Sequence, residues 1–162
     1  ESRILVASPK DVPTYDLKPE MSAPEVTQKL VDTLSAATHH FALVNFANPD
    51  MVGHTGNYEA ALTALQTVDT CLEKTISTAL KSGYEVLITA DHGNIEEMCD
   101  ENNEPHTQHT LNPVPLHFVS NHMKYSVNDG VLADLAPTIL EIMGIKKPLE
   151  MTGTSLLKGY RS

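Results

Sequence analysis

Hydrophobic and polar positions along this chain fall into blocks that switch between the two-residue period of strands and the 3.6-residue period of helices. Arg3 to Ala7 is a short apolar run ended by Ser8-Pro9 and reads as a strand. An irregular stretch holding Pro13 and Pro19 follows. Ser22-Ala23-Pro24-Glu25 then matches a capping box with proline in the first turn, which predicts a helix running towards Ala37. Phe41 to Phe46 reads as a buried strand. Asn57 can cap a long helix in which Ala61, Leu65, Val68, Leu72, Ile76 and Leu80 recur at helical spacing, with Gly83 closing it. Glu85 to Ala90 is the next strand, and Val114 to Val119 another after a polar loop. Asp134 can cap a last helix, with Pro137 tolerated in its first turn and Gly144 just past its end.

Strands alternating with helices imply an α/β fold, with a mostly parallel, doubly wound sheet covered by helices on both faces. Such sheets bind ligands beyond the carboxyl ends of their strands. Asp50 follows the 41–46 strand by four residues, and Asp91-His92 directly follows the 85–90 strand. Both acids are therefore expected on one rim of the sheet.

Composition narrows what that rim can serve. The 162 residues suffice for one ordinary core and argue against a second independent domain, and 41% hydrophobic content marks a globular chain. No apolar run approaches the ~20 residues that cross a bilayer, and no export signal is visible at the N-terminus. Because the first residue is Glu1 rather than Met, the chain is expected to be a piece of something longer. A formal net charge of −10 argues against a nucleic-acid or anionic-membrane surface, which would need a basic patch. Only Arg3 and Arg161 could offer the bidentate fork that usually grips a phosphorylated metabolite, so the main substrate-binding groups are expected elsewhere. Cys71 and Cys99 lie far apart and form neither a disulfide framework nor a cysteine metal site, which suits a reducing cytoplasm.

The candidate chemistry sits in three stretches: Asn48-Pro49-Asp50-Met51-Val52-Gly53-His54-Thr55-Gly56, Thr89-Ala90-Asp91-His92-Gly93-Asn94 and Pro105-His106-Thr107-Gln108-His109-Thr110. An aspartate after a strand is often only a helix cap, and an isolated histidine is usually structural. His39, His40, His117 and His122, with no carboxylate nearby in sequence, are read as structural or exposed. The pairs Asp50 and His54, Asp91 and His92, and His106 and His109 differ, because they converge on one rim. Carboxylate and imidazole can hold Mn²⁺, Zn²⁺ or Mg²⁺ while leaving positions open. Two such ions ~3.5–4 Å apart can stabilise both oxygens of an in-line phosphoryl transfer. Glycines 53, 56 and 93 allow close backbone approach.

These stretches, with Asn-Pro-Val-Pro at 112–115, Tyr-Asp-Leu-Lys-Pro-Glu-Met-Ser-Ala at 15–23, Leu-Ala-Asp-Leu-Ala-Pro-Thr-Ile-Leu at 132–140 and Glu-Met-Thr-Gly-Thr-Ser-Leu at 150–156, resemble cofactor-independent (2,3-bisphosphoglycerate-independent) phosphoglycerate mutases over essentially the whole chain. The resemblance corresponds to roughly the C-terminal third of that family's polypeptide. It implies part of an alkaline-phosphatase-like domain holding two Mn²⁺ ions, while the N-terminal portion and an inserted substrate domain lie outside the chain. One metal is then held by Asp50, His54 and His109, and the other by Asp91 and His92 with an aspartate and the nucleophilic serine near the family's N-terminus. None of the ten serines here stands in the glycine-rich setting of that nucleophile. The chain alone is therefore expected to lack a catalytic residue, to bind about one metal ion, to be inactive, and to self-associate through an exposed strand edge. The parent activity implied is the interconversion of 3-phosphoglycerate and 2-phosphoglycerate through a phosphoserine. The alternatives are a phosphomonoesterase, a phosphopentomutase-like enzyme or a sulfatase-like hydrolase of the same superfamily, or a metal-binding fragment without catalysis.

Overall fold

The computed structural model describes residues 1–122 and 125–159, so that Arg161 lies outside the described residues. They divide into two compact units, one formed by Glu1–Tyr84 with His92–Pro113 and the other by Glu85–Asp91 with Val114–Ser162.

Three helices build the first unit. Helix α1 spans Ala23–Ala36, with proline in its first turn, and stops where Ala37 turns left-handed at φ 49°. The expected capping box is not made, because the Ser22 hydroxyl donates instead to the carbonyl of Ala7 at 2.7 Å. Helix α2, Asn48–Gly53, was not anticipated from the sequence; Pro49 in its first turn supplies the fixed φ that starts it. Helix α3, Tyr58–Lys81, is capped by Asn57, whose side chain accepts from the Ala60 N–H at 3.2 Å, and Gly83 ends it at φ +81°.

The buried stripe of α3 is Ala60, Ala61, Ala64, Cys71, Thr75 and Ala79, while Leu65 is exposed and Leu72, Ile76 and Leu80 are half-buried. Ala61 is buried as expected, and elsewhere burial falls on the small residue one position before the expected apolar one. The alanines let α2 sit close, and Val52, 0% exposed, joins Met21, Ala60, Ala61, Ala64 and Met98 in a single apolar cluster. Burying one such side chain is worth about 1.5–3 kcal/mol.

The second unit is smaller. Strand β1, Val86–Thr89, pairs antiparallel with β2, Leu116–Val119, in the register Val86 opposite Val119. Strand β3, Tyr125–Val127, pairs antiparallel with β4, Leu157–Gly159. Helix α4, Leu135–Ile142, follows a short 3-10 turn at Leu132–Asp134. Asp134 does not cap α4 through its side chain. Its carboxylate instead accepts the N–H groups of Val131 at 3.0 Å and Thr154 at 2.7 Å, and its backbone carbonyl accepts the Thr138 hydroxyl at 2.7 Å. That hydroxyl in turn accepts the Leu156 N–H at 2.9 Å, which ties residues 154–156 to α4.

Helices with short strands give the α/β class expected, but the strand pairing differs. Among the described residues the sheets are two antiparallel pairs, and residues 3–7 and 41–46 belong to no strand. A parallel ladder needs a neighbour brought alongside by a crossover, and among the described residues no strand pairs with either run. Leu5 and Leu43 are left 93% and 85% exposed.

Candidate metal centre

Helix α2 explains why two of the expected residues meet. Asp50 and His54 are four positions apart, one helical turn, and so share a face. His54 is the C-cap of that turn and reaches back over it. The loop 92–110 brings in the others: it leaves and returns through a single bridge between Gly93 and Thr110, so that His92 and His109, each next to one side of the bridge, stack at 3.6 Å between ring centroids.

The result is three donor atoms at near-equal spacing. His109 Nε2 lies 3.0 Å from Asp50 Oδ1, His54 Nε2 lies 3.2 Å from the same oxygen, and the two imidazole nitrogens are 3.1 Å apart. His92 Nε2 is 3.9 Å from Asp50 Oδ1. Asp50, His92 and His109 form a group whose ligand atoms all lie within 4.8 Å of one another.

Tautomers follow from the partners. The His54 Nδ1 lies 2.7 Å from the Thr107 carbonyl, and a carbonyl can only accept, so Nδ1 carries a proton and Nε2 is the ring atom turned towards Asp50. His92 does the same on the Gly93 carbonyl at 3.3 Å. A carboxylate oxygen and imidazole lone pairs facing one point repel each other unless a cation or extra protons lie between them. Bonds of about 2.0–2.2 Å to one ion put neighbouring ligand atoms roughly 2.8–3.6 Å apart, from octahedral to tetrahedral angles, and the spacing found here falls in that range. The residues therefore fit a divalent metal.

Asn94, which sequence reasoning quoted without assigning a role, anchors the acid. Its amide donates to Asp50 Oδ1 at 2.8 Å and to the Asp50 carbonyl at 3.2 Å. Burial alone would push the Asp50 carboxyl up, but the Asn94 hydrogen bond and the neighbouring His54, His92 and His109 outweigh it and hold the carboxyl below its ordinary value. Gly53 is required by this contact, since a Cβ there would collide with the Asn94 side-chain oxygen. The signal for Asn94 was present in its position two residues after His92.

Asp91 is the last residue of the segment 85–91 that belongs to the second unit, and it is exposed. The His106 Nδ1 donates to the Glu97 carbonyl at 3.0 Å, which makes it part of the loop's own framework. His39 bonds the hydroxyls of Thr38 and Ser2, and His40, His117 and His122 are exposed, as their surroundings in the sequence implied. Among the described residues no helix is long and apolar enough to cross a membrane.

Residues 1–147 match the family model described as the Metalloenzyme superfamily. The chain is 52% identical over 159 residues to the 2,3-bisphosphoglycerate-independent phosphoglycerate mutase of Syntrophotalea carbinolica, covering 98% of this chain and 31% of that protein. It is 56% identical over 160 residues to the protein of the same name from Clostridium acetobutylicum, again covering 98% and 31%. A crystal structure of Leishmania mexicana phosphoglycerate mutase at low cobalt concentration matches with a TM-score of 0.85 at 27% identity, over 95% of this chain and 31% of that one. The chain thus spans about a third of the length of the relatives it matches. The matched range 1–147 takes in every donor in the Asp50 cluster, and the chain belongs to the metalloenzyme superfamily.

Proposed function

We propose that this chain is the metal-holding part of a 2,3-bisphosphoglycerate-independent phosphoglycerate mutase, a cytoplasmic enzyme of glycolysis and gluconeogenesis that interconverts 3-phosphoglycerate and 2-phosphoglycerate. The observation that carries the reading is the convergence of imidazole nitrogens on one oxygen of a carboxylate, in a chain 52% identical to a relative of that name. In this reading Asp50, His54 and His109 hold one Mn²⁺, while Asp91 and His92 contribute to a second together with groups from the remaining two-thirds of the polypeptide, including its nucleophilic serine and substrate-binding domain. Zn²⁺ or Mg²⁺ fits the same donor types. When bound, the metals lower the pKa of the serine hydroxyl and neutralise phosphoryl charge.

This chain's own residues do the holding. Asp50 stays ionised and supplies charge, Asn94 fixes its orientation, and the Thr107 carbonyl keeps His54 in the tautomer whose Nε2 can coordinate. Alone, the chain binds about one ion and is inactive. The complete polypeptide, assayed with 3-phosphoglycerate and Mn²⁺, should form 2-phosphoglycerate, and Asp91→Asn in it should abolish turnover. The 162-residue chain in the same assay should give no product above background. Release of inorganic phosphate without 2-phosphoglycerate would move the parent to the phosphomonoesterases instead.

A further inference from the structure

We propose that Glu96 is a positioning residue for the metal centre: its carboxylate clamps together the two backbone segments that carry His92 and His109. The inference rests on the metal-site reading above and extends it to a residue that touches none of the donors.

Glu96 lies inside the loop and reaches both sides of its neck. One oxygen accepts the backbone N–H of Asn94 at 2.7 Å, two residues past His92. The other accepts the hydroxyl of Thr110, the residue after His109, and the Asn112 amide at 3.1 Å. A carboxylate is the side chain suited to this place, because it only accepts and has room for several donors at once, whereas a neutral amide would set an N–H against one of them. These bonds outweigh the effect of burial and hold the Glu96 carboxyl down to about 2.

Beside the clamp, the neck is crossed by the Thr110 N–H to the Gly93 carbonyl at 2.9 Å, the Asn112 amide to Glu97 at 2.9 Å and the stacked rings of His92 and His109. Asn94, whose backbone Glu96 holds, is also the residue whose side chain fixes Asp50. One carboxylate therefore sets the positions of three donor-bearing segments. Gly93 fits the same account: its φ is ordinary, but a Cβ there would collide with both Glu96 and Thr110, so glycine is needed for the clamp to close.

Residues hydrogen-bonded behind metal ligands typically change metal affinity by 10–100-fold when removed. The test is Mn²⁺ calorimetry on the 162-residue chain and its Glu96→Ala, Glu96→Gln and Thr110→Val variants, with NMR of the histidine rings in the metal-free protein. Glu96→Ala should weaken Mn²⁺ binding at least about tenfold. Glu96→Gln should recover part of that loss through its one remaining oxygen, and the His92 and His109 ring signals should shift while that of His122 stays. Binding equal to wild type in all variants, or a lower unfolding temperature with unchanged affinity, overturns the proposal. Should Glu96→Ala fail to fold, Glu96→Gln and Thr110→Val decide by the same affinity criterion. Wild-type protein that binds no Mn²⁺ would refute the metal-site reading instead. The ring signals then judge the clamp, with unmoved His92 and His109 overturning it.

Discussion

The loop 92–112 and the apolar runs 3–7 and 41–46 lie in the same unit and behave in opposite ways. The loop is polar, has no regular secondary structure beyond isolated bridges, and is tied at many points: Glu96 across its neck, the His106 N–H to the Met98 carbonyl at 2.9 Å, and the Asn112 amide to Glu97 at 2.9 Å. The two runs have the composition of buried strands yet, among the described residues, pair with no strand, and Leu5 and Leu43 face solvent. The difference lies in where the partners are. Hydrogen bonds tie the loop to itself and to α2, whereas a strand is defined by a neighbour, and among the described residues no strand pairs with either run. Matching relatives are about three times as long, which leaves ample polypeptide to provide it.

Deleting apolar atoms at the two places should separate them most clearly. Val52 is fully buried beside the metal loop, so Val52→Ala should lower stability in urea denaturation by about 2 kcal/mol. Leu43→Ala should change it by less than about 0.5 kcal/mol. Equal costs would mean that 41–46 is packed in solution and the contrast is false.

A change that leaves stability alone should still alter association. Exposed, unpaired apolar runs are templates for pairing with a second copy. Light scattering at micromolar concentration should therefore show self-association, and Leu43→Lys should weaken it by about tenfold, equivalent to ~1.4 kcal/mol. A monomer at every concentration would show that both runs are covered within the chain.

The smallest effect concerns the second unit. The Val131 and Thr154 N–H groups hold the Asp134 carboxyl below its ordinary value. A depressed carboxyl contributes stability that is fully present above its unfolded value near ~3.9 and is lost as pH falls through its lower folded value. Asp134→Asn should thus be less stable than wild type at pH 6, with the gap closing below about pH 4. A gap independent of pH would assign the loss to geometry rather than charge.

How much of this was legible in the sequence depends on the range of the interactions involved. Helices α1 and α3 and the β1 and β2 runs were read within a few residues, because Pro24, Asn57 and Gly83 act on their own neighbourhoods. Helix α2 was missed because six residues carry too little periodicity to register, although the Asp50 to His54 spacing was its trace. The α3 core was read too large, since leucines were preferred where close packing with α2 favours alanine. Short strands β3 and β4 gave no pattern at all, and their pairing joins segments some thirty residues apart. Of the site, Asp50, His54, His92 and His109 were named and are brought together. The residues behind them, Asn94 and Glu96, were not assigned roles, because their partners emerge only once the loop closes on itself.

The central claim is that imidazole lone pairs and one carboxylate form a metal-binding corner within this chain. Calorimetry with Mn²⁺ on the wild type and His109→Ala tests it most directly. The wild type should bind about one ion per molecule, lose it in acid as the imidazoles take up protons, and lose it altogether in the variant. Equal binding by the two proteins would contradict the claim.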